Sequence, residues 1–151
     1  MPTHYQGDET TRRALDTYIK LSRARKTVAS LTGRLLADYG LTESQFGALE
    51  ALHFLGPMSQ SEIGEKLLVT GGNMTMVMNN LEKRGLVSRR RTPTDRRQNT
   101  VSLTEAGEQL IGDLFPRHAQ NMVEMLAALD PDEQEQLGRL CKKLGRQVHK
   151  G

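Results

Sequence analysis

Three groups of side chains in this 151-residue sequence have the chemistry to act on something. The first is a run of cations. Between positions 83 and 97, Lys83, Arg84, Arg89, Arg90, Arg91, Arg96 and Arg97 meet a single acid, Asp95. Cations gathered in this way suit the phosphates of a nucleic acid. The second group, just upstream, is Asn73, Thr75, Met76 and Asn79, whose amides and methyls can meet base edges in a major groove. The third is Cys141 with His4, His53, His118 and His149. A lone cysteine excludes an intrachain disulfide and any multi-cysteine zinc site, and the scattered histidines form no HxxxH or HxxH pair. No nucleophile elbow, phosphate-binding glycine loop or protected carboxylate pair is present, so the chain does not read as an enzyme, and it implies no cofactor.

Composition sharpens this only through where the charge sits. The net charge is +3, from 21 Lys and Arg against 18 Asp and Glu, and such an excess does not by itself announce a nucleic-acid binder. Residues 59–65 and 130–135 are acidic, so the basic charge is local. A charged hairpin or a polar helix face taken alone is usually no more than a solvated surface; it is their adjacency that argues for function. With no Trp and few aromatics, a stacking platform for single strands is poorly supplied. No apolar run reaches membrane length and residues 1–8 lack a signal-peptide core, so a cytoplasmic protein without membrane attachment is expected.

The elements that must position these groups follow from periodicity. Leu15, Ile19, Val28, Leu31, Leu35, Leu36 and Tyr39 recur at helical spacing from about Glu9 to Tyr39, and Gly40 supplies a stop. So long a helix has apolar positions to spare for something beyond the local fold. Thr42 to Gln45 and Ser59 to Glu62 are capping boxes, separated by the breaker Gly56-Pro57. From Thr70 to Arg84, Met74, Val77, Met78 and Leu81 make one buried stripe, with Thr70 as N-cap and Gly85 as terminator. A joint at Leu68 and Val69 makes the pair a helix-turn-helix. Residues 86–88 and 100–103 read as strands around a charged loop at 89–99 containing Pro93, the shape of a wing. Thr104 opens a helix with Pro116 inside it, a residue type that can bend a helix, and Asp130-Pro131 opens a last one whose stripe is Leu137, Leu140, Cys141, Leu144 and Val148.

In their order, Ile63-Gly64-Glu65-Lys66-Leu67, the segment Leu81 to Val87 reading LEKRGLV, Asp95-Arg96-Arg97, and Leu103 to Gly107 reading LTEAG resemble the multiple antibiotic resistance regulator (MarR) family of bacterial transcription factors. The resemblance covers nearly the whole chain. It implies a mainly α fold, α with a small β-hairpin wing: a winged helix-turn-helix over residues 41–103, between a dimerisation helix at 1–39 and dimerisation helices at 104–151, in one compact domain. It also implies an obligate homodimer presenting two winged helices to a palindromic site on double-stranded DNA, and a mostly repressive role. The sequence departs from the family at Gly71-Gly72, where many relatives carry Lys, Arg or Ser.

On that reading the recognition helix contributes Thr70, Gly72, Asn73, Thr75, Met76, Asn79 and Lys83, with Asn able to pair bidentately with adenine and a Thr or Met methyl able to touch thymine. The wing contributes Arg89, Arg90 and Arg91 to phosphate, and Arg96 or Arg97 to the minor groove, with Asp95 orienting one of them. The family implies a small phenolic or other organic effector between the dimer helices and the DNA-binding part, and Arg25, Tyr39, His53 and Met122 are the residues such a pocket would draw on. One branch of the family senses peroxides through a thiol on the first long helix; here that helix has no Cys, and Cys141, on an apolar stripe, reads as a core residue. The competing reading is a winged helix used for nonspecific architectural DNA binding or for protein–protein interaction, which has no need of outward Asn and Thr on the recognition helix.

Overall fold

The computed structural model describes residues 2–92 and 95–147, with side chains at all of these except 92 and 95–99. Helix α1, Glu9–Ala37, starts where the Asp8 carboxylate accepts from the Thr11 N–H at 2.9 Å. Helix α2, Glu43–Leu55, opens on the expected reciprocal box: Thr42 Oγ1 accepts from Gln45 N–H at 3.2 Å, and Gln45 Oε1 accepts from Thr42 N–H at 2.9 Å. A two-residue strand, β1 at Met58–Ser59, leads into α3, Gln60–Leu67, with Ser59 as its cap. Helix α4 spans Gly71–Lys83. Strands β2, Val87–Thr92, and β3, Asp95–Leu103, follow, and the sheet order is β1-β3-β2, antiparallel throughout. Helices α5, Glu105–Leu126, and α6, Pro131–Gln147, complete the chain.

The chain divides into two compact units, one through His118 and one from Ala119. The core of the first is formed where α1 ends and α2, α3, α4, β3 and the start of α5 meet. Leu36, Leu49, Ile63, Met74, Met78, Leu81, Val101, Ile111 and Leu114 are fully buried there. Each such side chain contributes about 1.5–3 kcal/mol from its removal from water, which explains why the Met74, Met78, Leu81 stripe fixes the rotation of α4 about its axis. In the second unit, Asp130 and Glu133 cap α6 reciprocally, at 2.9 and 3.0 Å. Gln134 Nε2 donates to the carbonyls of Leu126 and Leu129, tying off the end of α5.

The architecture agrees with the mainly α, winged expectation, and three details differ. The wing is longer in strand and shorter in loop than its sequence suggested: residues 89–92 and 95–99 lie in strands, not loop, with a register shift between Arg91 and Thr92. Its inward face is apolar only at the base, where Val87 opposes Leu103 and Arg89 opposes Val101, so beyond that point cations stand where an alternating pattern would have shown the strand. Strand β1 was hidden by its length, two residues after Gly56-Pro57, yet Met58 is buried opposite Val101. Cys141 is exposed, as is every residue of α6, so the core reading of that cysteine does not hold within the single chain. Pro116 sits inside α5 without interrupting it. Val148, at the end of the expected α6 stripe, lies outside the described residues, as do Pro93 and His149.

Candidate nucleic-acid interface

Helix α4 is presented by the turn before it. Leu68 takes up the left-handed conformation at φ 54°, unusual for a residue with a branched side chain, and the chain reverses as Val69 N–H donates to the Gly64 carbonyl at 2.9 Å. Thr70 then caps α4, its hydroxyl oxygen facing the Asn73 N–H at 3.5 Å. At the far end Gly85, at φ 72°, turns the chain into the wing, a conformation that glycine adopts without strain. Arg84 donates to the carbonyls of Tyr39 and Gly40, at 2.9 Å each, and clamps the end of α4 to the turn after α1.

With Met74, Met78 and Leu81 inward, α4 turns Gly72, Asn73, Thr75, Met76, Asn79 and Lys83 to the outside. Met76 keeps 63% of its surface exposed, which a core filler does not. Gly71 and Gly72 are exposed as well: a Cβ at either would meet nothing within 4 Å, and neither has a positive φ. Neither backbone conformation nor packing within the chain therefore requires glycine at these positions. Two glycines in a first turn weaken a helix, and what they offer is room for a partner to reach the backbone.

Of the sequence-selected cations, Arg90 and Arg91 are exposed on β2, but Arg89 is not free for phosphate. Its side chain, 19% exposed, points back at α4, where Nε and Nη2 hold the Glu82 carboxylate at 3.2 and 3.0 Å. This bidentate pair holds the Glu82 carboxyl below its usual range and raises the Arg89 guanidinium. A second Nη2 hydrogen goes to Asn79 Oδ1 at 2.7 Å, and Nη1 reaches Gln60 Oε1 at 3.4 Å. Arg89 therefore fastens the wing to the recognition helix. Sequence reasoning assigned it to phosphate because a cation next to cations looks alike in a string; its period-two alignment with Val87 was the available sign that it faces inward. Arg84 was likewise counted with the basic run and is engaged internally. The side chains of Asp95, Arg96 and Arg97 lie outside the described residues.

The LTEAG segment also has a mechanical role. Thr104 Oγ1 donates to the Gly85 carbonyl at 2.5 Å and accepts from Gly107 N–H at 3.1 Å, while its own N–H donates to the Leu86 carbonyl. Gly107 has no room for a side chain, because a Cβ would run into the Leu86 carbonyl oxygen. The turn at the end of α4, the root of the wing and the start of α5 are locked together at that point.

The four residues chosen for an effector pocket have separate surroundings. Arg25 pairs with Glu43 at 2.6 Å, Tyr39 donates to Asp113 at 2.6 Å and accepts from Arg117 at 2.9 Å, and His53 Nδ1 faces Glu108 at 2.8 Å. Met122 belongs to the second unit. His118 was not selected; its ring packs on Phe46 at 4.8 Å, and its Nδ1 is buried without a partner among the described residues.

A buried-stripe helix held between a left-handed turn and a three-stranded wing defines the winged helix-turn-helix class. Comparison with known proteins places the chain within it. A MarR family model matches residues 39–98, the helix-turn-helix and most of the wing. The chain is 35% identical to the HTH-type transcriptional regulator YkoM of Bacillus subtilis, over 92% of this chain and 90% of that protein. It is 34% identical to the regulator MhqR of the same organism, over 89% and 93%. Among solved structures, BpsR of Bordetella bronchiseptica superposes with a TM-score of 0.77 at 26% identity, covering 85% of this chain and 98% of that one. The chain belongs to the MarR family of helix-turn-helix transcriptional regulators, and it is a regulator rather than an enzyme. No described helix is long and apolar enough to cross a membrane.

Proposed function

We propose that the protein is a cytoplasmic repressor that binds a palindromic operator as a homodimer, one winged helix per half-site, and releases it when a small organic effector binds. The observation that carries this reading is the outward face of α4: amides, a methionine and a lysine stand exposed on a helix whose rotation is fixed by its buried stripe. Set in a major groove, Asn73, Met76 and Asn79 meet base edges, Thr70 and Gly72 let the backbone come close, and Lys83 meets phosphate. Two-fold symmetry would set the recognition helices roughly 34–36 Å apart. Arg90 and Arg91 add phosphate contacts, and Arg96 or Arg97, oriented by Asp95, enters the minor groove.

For the dimer, the support is apolar surface that a single chain leaves in water: Leu137, Leu140 and Leu144 line one stripe of α6, and Tyr18 and Leu21 are exposed on α1. For an effector, the support is the relative BpsR, whose DNA binding is regulated by 6-hydroxynicotinic acid. Tyr39, His53 and Arg25, with their polar partners, and Met122 remain the residues to probe for such a site.

The test is fluorescence anisotropy on duplex from the gene's own upstream region and on scrambled duplex. Asn73→Ala is expected to cost about 1–3 kcal/mol on the specific duplex and little on the scrambled one, whereas Arg91→Ala weakens both alike and flattens the salt dependence. Equal losses on both duplexes from Asn73→Ala would mean nonspecific architectural binding.

A further inference from the structure

The outward polar side chains of α4 are not independent of the rest of the fold. Gln60, the first residue of α3, donates through Nε2 to Thr75 Oγ1 at 3.2 Å and accepts at Oε1 from Arg89. Thr75 Oγ1 in turn donates to the Gly71 carbonyl at 3.1 Å. Arg89 donates to Asn79 Oδ1 at 2.7 Å, while Glu82 holds the guanidinium from the other side. A guanidinium has only donors, so the group of Asn79 that faces it must be the amide oxygen. The Asn79 amide nitrogen, with both hydrogens, has no protein partner among the described residues. The Thr75 hydroxyl hydrogen and one of its lone pairs are engaged, which leaves its methyl and a single acceptor lone pair.

We propose that Arg89 sets the hydrogen-bonding polarity of the recognition face: by engaging the oxygen of Asn79 it leaves Asn79 to read DNA as a donor, so that the base selected there is one whose major-groove polar groups are all acceptors, guanine or thymine, over adenine, whose N7 acceptor lies beside an amino donor, while Thr75 presents its methyl and no hydroxyl hydrogen. The inference rests on the DNA-binding reading above. A bidentate asparagine–adenine pair needs the amide oxygen to accept from the adenine amino group. Here that amino group would have to share an oxygen to which a cation already donates at 2.7 Å, and would approach the guanidinium with its own positive hydrogens. Adenine N7 offers one lone pair next to that amino group, whereas guanine N7 and O6, or thymine O4, offer lone pairs with no amino donor on the same base edge. Arg89 is thus a positioning residue, and the adenine preference suggested by the bare sequence gives way to a preference for an acceptor-only base edge.

The experiment is enrichment of binding sites from a random duplex library by the full-length protein and by Asn79→Ala, Asn79→Asp and Arg89→Met, at one salt concentration, with circular dichroism to confirm folding. Asn79→Ala identifies the base position that Asn79 reads. At that position the unaltered protein is expected to enrich guanine or thymine, with about a fivefold or greater loss for adenine. Asn79→Asp keeps the Arg89 contact and swaps the donor for an acceptor, so preference moves to cytosine or adenine, the bases that expose an amino group. Arg89→Met frees the amide oxygen and moves preference to adenine. If Arg89→Met does not fold, Asn79→Asp still decides. Adenine at that position with the unaltered protein, no position that depends on Asn79, or a preference unmoved by Asn79→Asp would overturn the proposal. Failure of the unaltered protein to enrich any sequence would overturn the DNA-binding reading itself, and this inference with it.

Discussion

At the residue scale, the same side-chain type serves opposite purposes within a few positions. Arg90 and Arg91 stand in solvent, whereas Arg89 and Arg84 are consumed by contacts inside the fold. The asparagines are legible from sequence as an outward face because the Met74, Met78, Leu81 stripe fixes the rotation of the helix. What Arg89 does to Asn79 is not legible, because it depends on a strand register that brings residues ten apart into contact at 2.7 Å. Gly71 and Gly72 give the sharpest prediction at this scale. Gly72→Ala meets open space and a helical backbone, so it should stabilise the protein by about 0.4–1 kcal/mol through the unfolded chain. If the glycine is there for close approach to DNA, the same substitution weakens operator binding. Thermal melting beside anisotropy checks both, and a variant that is more stable and binds equally well would remove that role.

At the element scale, the capping signals were the most readable part of the sequence. Thr42, Ser59, Thr70, Thr104 and Asp130 each accept from the backbone N–H three residues on, as their spacing predicts. The wing was read correctly as a hairpin and misread in extent, because arginine gives no apolar alternation to mark a strand. Its attachment to α4 through the Glu82–Arg89 pair carries a pH dependence whose sign is fixed. The folded-state value of Glu82 is depressed, so the pair's contribution is present above the value of an unfolded glutamate and is lost as pH falls through the folded one. Glu82→Gln should therefore lower the melting temperature at neutral pH and narrow its gap to the unaltered protein as the pH is taken into the acid range. Because Glu82 is 44% exposed, the effect is expected to be modest. A gap that stayed constant down to pH values below the carboxylate range would show that the ion pair does not hold the wing.

At the scale of the whole molecule, the sequence left one quantity implicit: how much apolar surface the chain does not cover by itself. The final helix carries an apolar stripe; the family resemblance implies that it pairs subunits, while Cys141 on the stripe reads as a core residue. Yet Leu137, Leu140 and Leu144 each keep more than two fifths of their surface in water, as 43%, 47% and 54%. A stripe of this kind calls for a second surface, which here is taken to be another copy of the chain. Leu140→Glu is expected to convert the dimer to a monomer in sedimentation, and to abolish tight operator binding while leaving the helix-turn-helix folded. A dimer unaffected by that change would place the interface elsewhere.

The central claim is that a fixed, polar helix face and a basic wing bind one DNA sequence in preference to others. The most direct measurement is anisotropy of the unaltered protein on duplex from its own upstream region and on scrambled duplex, across a salt series. Tight binding to the first, far weaker binding to the second, a steep fall in affinity with salt, and two subunits per site are expected. Equal weak binding to both duplexes would contradict it.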